Sequence, residues 1–492
     1  YKPPTVASGI KELLNIQTKS LNTWKFEQDV CRRDLVEMII LDELPYSFVE
    51  KEGFKKLMSQ PLFHIPSRRT ITRDCYEVFG ELKINLKQSL REVQLRICLT
   101  IDTWTSMQRI NYMCLTAHFI DRDLVLHKRI LNFCPIDSHK GEYLTESINN
   151  CLLDWKLDNV FIVTVDNASS YNVAVLELSK KLDMWETNMM EGNNLHVICM
   201  THILNLIVQY DLKEIGTSIK LVRQMVKYVR SSSSRTRNFL KSVEMQNIEC
   251  DKMLSLDVPT RWNSTYLMFD TAEKFEKAFE RFDLYDGNFN SFLATDVCAG
   301  GTIACSIQYE DWNNMRNVTK FLEKFYELTL NVSGSRYVTC NVHFEDICEL
   351  DAYLKLCISS DDLDLSKMAS GMKEKIKKYW GTLEKMNKMI FIASVLDPRN
   401  KFVYKQKQDS GSLGVKSELD KYLLEDQEPE SGDFDINSPR FPIISQLARD
   451  VWAIPMSSVS WECAFSTGDR ILDPFRSLLT PKCVQCLICV QD

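Results

Sequence analysis

The chain has 492 residues, more than one simple hydrophobic core accommodates, so about three domains, or one large domain with an insertion, is the expectation. Sixty Lys and Arg stand against 67 Asp and Glu, for a formal charge of −7. That balance excludes a globally basic nucleic-acid binder, and any such surface must be local. No stretch reaches the roughly 18 unbroken apolar residues of a membrane span, and no charged-then-apolar signal pattern opens the chain. The 17 cysteines are scattered through apolar runs, which suits a reducing compartment, cytoplasmic or nuclear.

Residues 1–95 read as a helical N-terminal region. DVCRRDLVEMIILDELPYSFVEKEGFKKLM carries apolar residues at helical spacing, broken at Pro45, and TITRDCYEVFGELKINLKQSLREV repeats the pattern. From residue 97 the texture changes to short β-rich runs, RICLTID, NYMCLTAHFID and LVLHKRILNFCPI, which predict a three-stranded meander. GEYLTESINNCLLDW follows as a helix with Leu144, Ile148, Cys151, Leu152 and Trp155 on one face. FIVTV (161–165) is an unbroken apolar run, so a strand buried on both faces is expected. A helix over 173–185, a short strand over 195–200 and a long helix over about 202–230 complete the order βββαβαβα. Three antiparallel strands followed by alternating αβ units define a mixed α/β sheet in ribonuclease-H-like order over residues 96–264.

Residues 265–403 predict a helical domain, with aromatic stripes at core spacing. Residues 404–439 are polar and acidic and read as a linker, and 440–492 return to globular composition.

Asp102 ends the first predicted strand and Asp166 the fourth. In ribonuclease-H-like order those strands are neighbours, so two carboxylates meet at one sheet edge, an arrangement that is costly without a cation between them. Converging acids suit Mg²⁺, which takes oxygen ligands at about 2.0–2.1 Å. Taken alone, each Asp equally suits a strand-terminal turn or N-cap.

IDTWTSMQRINYMCLTAHFID, TVDNASSYN, CMTHILNLIVQ, LDVPTRWNSTYLM and IPMSSVSWECAFSTGDRILDPFRSLLTP together resemble the hAT transposase superfamily, most closely its plant BED-zinc-finger members of the Ricesleeper and Daysleeper type. The resemblance runs from about residue 20 to the end. It implies a ribonuclease-H-like core interrupted by a large helical insertion, a C-terminal region that dimerises and supplies the last acid, and Mg²⁺- or Mn²⁺-dependent cutting and joining of DNA in the nucleus. By motif, Asp102, Asp166 and Glu462 match the catalytic, metal-holding acids; without the motif, Glu462 reads as a first-turn residue of a helix that Ser457, Ser458 or Ser460 could cap.

Cys199 and His202 match the family's CxxH, which places His202 near DNA and leaves Cys199 to pack. Arg261 and Trp262 match its RW motif; Trp262 suits either stacking on an unpaired base or anchoring a core. Lys220, Arg223, Lys227 and Arg230 recur every three or four residues as a basic stripe, extended by Arg235, Arg237 and Lys241, and suit either phosphate contacts or a solvated helix face.

Cys483, Cys486 and Cys489 share a helix face and lack a fourth ligand, so they read as packing residues, and no structural zinc is expected within this chain. Several family features are missing. No BED-type finger precedes residue 90, and the start at Tyr1 without Met leaves room for upstream sequence. The LxWW-type segment before RFPIISQLARDVWAIP is absent, which predicts a weakened homodimer, and Trp461 and Asp469 stand where small residues are usual. These departures point to a domesticated or decayed transposase, with a non-catalytic dimerising regulatory protein on the same fold as the alternative.

Overall fold

A computed structural model describes residues 26–58, 63–92, 96–212, 216–294, 307–334, 337–381, 387–399, 419, 421–422, 441–458, 462–472 and 479–491. The chain divides into two units, one up to Lys83 and one from Ile84 onward. In the first, α1 (Gln28–Leu41), α2 (Glu52–Leu57) and the start of α3 (Arg68–Glu92) gather Val36, Ile39, Tyr46, Ile71 and Cys75 into a small core. α1 ends four residues before Pro45, and Glu43 turns the chain with a positive φ of 52°. Arg32 grips Asp74 with two parallel N–H···O bonds.

The second unit is built on a five-stranded sheet of order β3-β2-β1-β4-β5, made by β1 (Ile97–Thr105), β2 (Asn111–Ile120), β3 (Leu126–Ile136), β4 (Val160–Val165) and β5 (His196–Ile198). β1–β2 and β2–β3 are antiparallel, whereas β1–β4 and β4–β5 are parallel. Every residue of β4 is buried, as its unbroken apolar run predicts for an interior strand.

Alternation along β1 feeds two cores. Ile97, Leu99 and Ile101 join the apolar faces of α4 (Gly141–Trp155) and α5 (Ser169–Met184) on one side. Cys98 packs on the other side with Phe161, Ile162, Val197 and a layer contributed from far along the chain. That layer includes α15 (Lys388–Val395) and α16 (Pro442–Trp452).

Between them lies a helical body. α6 (Met200–Leu212), α7 (Gly216–Arg230), α8 (Ser233–Met245), α9 (Trp262–Lys274), α10 (Glu276–Tyr285), α11 (Gly287–Leu293), α12 (Tyr309–Val332), α13 (Cys340–Ile358) and α14 (Leu363–Trp380) share one apolar core running from Met200 to Met372. The aromatic stripes expected to form a bundle core do so: Phe269, Phe279, Phe282, Trp312, Phe321 and Phe325 are all buried.

Two boundaries differ from the sequence reading. The helical core starts at Met200 rather than 265, because α6 leaves the sheet edge and buries Ile203, Leu204 and Ile207 among the helices. The expected helix over about 202–230 is described as two stretches, α6 and α7, and residues 213–215 between them lie outside the described residues. Nearly all of the 404–439 segment, including the place of the missing LxWW-type element, also lies outside them.

After the helical body the C-terminal helices return to the sheet. α17 (Glu462–Ile471) sets Phe465 against Trp104 of β1, ring centroids 5.6 Å apart and 21° from parallel, and Phe133 of β3 joins the stack. Gly468 lets the helix approach closely, since a Cβ there would meet the Trp104 ring at 3.2 Å. α18 (Pro481–Gln491) buries Cys483 and Cys486 and joins β3 through a Gln485–Asn132 hydrogen bond.

Candidate active site

β1 and β4 run parallel with Thr100 opposite Thr164, and each aspartate lies two residues further along its strand. The same register carried forward sets Asp102 and Asp166 at one level on one edge of the sheet. Their charges feel each other, because Asp166 raises the proton affinity of Asp102.

Each carboxylate is oriented through a single oxygen. Asp102 Oδ1 accepts from its neighbour's backbone, Thr103 N, at 2.6 Å and from the Tyr171 hydroxyl at 2.9 Å. Asp166 Oδ1 accepts from Ala168 N at 2.7 Å in the turn entering α5. The two Oδ2 atoms take no hydrogen bond from the described residues, and His202 Nε2 stands 3.8 Å from that of Asp166.

The environments differ. Asp102 is 6% exposed, and burial pushes its carboxyl up to about 7 despite the Thr103 and Tyr171 hydrogen bonds. Asp166 is half-buried at the rim. Burial and the neighbouring Asp102 push the Tyr171 phenol up, so it stays a hydrogen-bond donor.

The β5–α6 junction supplies the neighbouring wall. Cys199 is fully buried, and although burial alone would raise its thiol, hydrogen bonding to His202 and the Ser458 backbone brings it down to about 7. The same contact with Cys199 raises His202, against the effect of burial. His202 lies in the first turn of α6, where the helix dipole favours an anion.

Residues 454–458 are tied to this junction by several bonds. Met200 N donates to Met456 O at 2.9 Å, Thr164 Oγ1 to Pro455 O at 2.8 Å, and Ser458 N to Cys199 Sγ at 3.3 Å. Ser457 Oγ and Thr201 Oγ1 lie 3.1 Å apart. Pro455 therefore ties the C-terminal segment to β4, and Met456, Ser457 and Ser458 tie it to Cys199 and the start of α6. Glu462, four positions after Ser458, is the first residue of α17; its side chain lies outside the described residues, as do Ser460 and Trp461.

Two carboxylates whose Oδ2 atoms take no hydrogen bond from the described residues are a donor set that fits a hard divalent cation. Among the described residues no three His, Cys, Asp or Glu side chains gather into a metal-holding group, so the pair has no described third donor.

The expected DNA contacts divide. Lys220, Lys227 and Arg230 are exposed on α7. Arg223 instead closes a bidentate pair with Asp257, at 2.7 and 2.6 Å, whose side chain is wholly buried; it is a structural cation rather than a fourth member of the phosphate stripe. Trp262 is 2% exposed among the helices, so the base-stacking alternative gives way to the core-anchor one. Arg261 beside it is exposed at the start of α9.

Sequence patterns did not nominate Tyr171, Thr103 or His139. His139 Nδ1 lies 2.8 Å from Thr103 Oγ1, which itself lies 3.1 Å from the Tyr171 hydroxyl. The polar chain behind Asp102 thus draws on three separate segments and leaves no spacing signal.

The sheet order and its paired acids define the class: a ribonuclease-H-like α/β fold. Four family models match in succession: the ZBED1 RNase-like domain over residues 100–194, the ZBED1 RNase-like helical domain over 197–321, the hAT-like transposase, RNase-H fold, over 341–422, and the hAT family C-terminal dimerisation region over 418–492. The putative AC transposase of Zea mays is 30% identical across 96% of this chain and 66% of its own length. Zinc finger BED domain-containing protein RICESLEEPER 2 of Oryza sativa subsp. japonica is 29% identical across 95% of this chain and 74% of its own. DAYSLEEPER of Arabidopsis thaliana is 26% identical over the same two shares. The chain belongs to the hAT-like transposase family, and it spans just under two-thirds of the length of the maize relatives.

Proposed function

We propose that this is a transposase-derived nuclear DNA-binding protein, domesticated or decayed, whose sheet edge supports metal-dependent cleavage and joining of phosphodiester bonds. The observation that carries the reading is the pair Asp102 and Asp166 at one level of adjacent parallel strands, with residues 454–458 tied to the same edge.

Asp102, Asp166 and Glu462 would hold Mg²⁺ or Mn²⁺. Bound there, such ions would activate the attacking oxygen and stabilise the leaving one. The chain's own residues prepare the edge: Thr103 and Tyr171 fix the Asp102 carboxylate, Ala168 N–H fixes that of Asp166, and His202 at the start of α6 offers an imidazole beside Asp166 to a phosphate. Lys220, Lys227, Arg230 and Arg261 are the exposed cations that suit a DNA backbone. The match to the family's dimerisation region supports a homodimer through the C-terminal helices.

Nicking of supercoiled plasmid and opening of hairpin DNA, with Mg²⁺ or Mn²⁺ supplied, tests the reading. Wild type should cut and Asp166→Asn should lose at least a hundredfold in rate, since such a change removes one oxygen ligand. Equal inertness of both proteins with metal present would overturn it in favour of a second reading, a non-catalytic regulatory protein. The burial of Asp102, which opposes its ionisation, favours that alternative.

A further inference from the structure

The helical body carries a second polar recess, on elements separate from the carboxylate pair. A cleft of about 580 Å³ is lined by α8 and by the α10–α11 segment, with Asn238, Lys241, Arg281 and Tyr285 among its walls. Asp286 is the one carboxylate among the described lining residues, and it is already engaged. Both its oxygens accept from the Tyr228 hydroxyl at 3.1 Å, and Oδ1 also accepts from Asn288 N.

The donors around it are not so engaged. Arg281 Nε is buried with no hydrogen-bond partner, and its Nη2 reaches the Tyr285 hydroxyl only at 3.4 Å. Lys241 is exposed and makes no ion pair with the described residues. Arg235, on the same wall, is held: it stacks on the Tyr228 ring at 3.8 Å and donates from Nη1 to Ser231 Oγ at 2.6 Å. A recess with two cations, Lys241 and Arg281, that make no ion pair with the described residues, and whose carboxylate is satisfied, is complementary to phosphate. Tyr285 at its rim is 72% exposed, with the Arg281 guanidinium 5.0 Å from the ring centroid. An exposed aromatic beside cationic donors is the combination that receives an unpaired base.

We propose that this cleft binds an unpaired nucleic-acid strand, its phosphates against Lys241 and Arg281 and a base on Tyr285. Exposed Arg230, at the end of α7 and one turn before α8, extends the path toward Lys227. The site goes beyond the proposed metal chemistry and needs neither aspartate.

Fluorescence anisotropy on the full chain, with a labelled single-stranded oligodeoxynucleotide and its duplex over a salt series, tests it. The Lys241→Ala, Arg281→Gln double variant should bind the single strand about tenfold more weakly, with the log K against log salt slope reduced by about 1.4 for two lost phosphate contacts. Tyr285→Ala should lose about tenfold on the single strand and little on the duplex. Lys241→Ala alone, on an exposed side chain, should lower the slope by about 0.7 and keeps the test intact if Arg281→Gln unfolds the body. Unchanged affinity and slope in these variants, or an equal loss on duplex from Tyr285→Ala, would overturn the proposal. All titrations are run in EDTA, without Mg²⁺ or Mn²⁺, so failure of the metal chemistry and failure of this site are read separately.

Discussion

Burial favours the protonated form of Asp102 up to a pH of about 7, with Thr103 N–H and the Tyr171 hydroxyl pulling the other way. Its folded pKa lies above the unfolded value, so the native state binds this proton more tightly, and stability falls as pH rises between about 4 and 7. In chelator, Asp102→Asn should therefore be more stable than wild type at pH 8 by on the order of 3 kcal/mol, with the difference gone near pH 4. Urea denaturation across that range checks it, and parallel curves would contradict it. Trp262→Ala should cost about 3–5 kcal/mol, the loss of a large core side chain, as read by the same denaturation. The two residues differ in how legible they are. Asp102 announces itself by closing an apolar run, whereas Trp262 sits in a polar stretch, PTRWNST, whose neighbours say nothing of the helices that cover it. Tyr171 falls before the helix expected over 173–185, within TVDNASSYN, and nothing local marks it, because its partner is 69 positions away.

Helix α7 carries cations of two kinds. Arg223 neutralises the buried Asp257, so Arg223→Ala should destabilise by about 3 kcal/mol by leaving that carboxylate unpaired. Lys220→Ala and Lys227→Ala, both solvent-facing, should stay within about 0.5 kcal/mol of wild type while each lowers the duplex-DNA salt slope by about 0.9. Thermal melts paired with anisotropy separate the two classes; an Arg223→Ala protein as stable as wild type would contradict the assignment. Spacing alone grouped these residues, since a three-to-four repeat shows which cations share a face but not that Asp257 lies against one of them. The strands were easier to place. β1, β2, β3 and β4 follow their local apolar patterns to within a few residues; the β1–β3 meander needed only the rules for short connections, and β4 beside β1 followed from the ribonuclease-H-like order.

At the scale of the whole molecule, the sheet's second core is assembled from residues more than 350 positions apart, such as Cys98 with Val451. No periodicity could have forecast that return, nor that α6 would leave the sheet to open the helical body at Met200. The same return brings the start of α17 to the sheet through the Trp104–Phe465 stack, and the C-terminal segment matches the hAT family dimerisation region. Sedimentation equilibrium should show self-association, weakened if the absent LxWW-type element normally contributes, and a strict monomer at tens of micromolar would contradict the homodimer.

Asp102, Asp166 and Glu462 are proposed to surround one metal centre. Fe²⁺-directed backbone cleavage tests it most directly, since Fe²⁺ takes the same oxygen ligands as Mg²⁺ and, with ascorbate and peroxide, cuts the chain beside its own site. Cuts should cluster near residues 102, 166 and 462, all suppressed by excess Mg²⁺ and by Asp166→Asn. Cuts at 102 and 166 without 462, or no Mg²⁺-protected cuts at all, would contradict it.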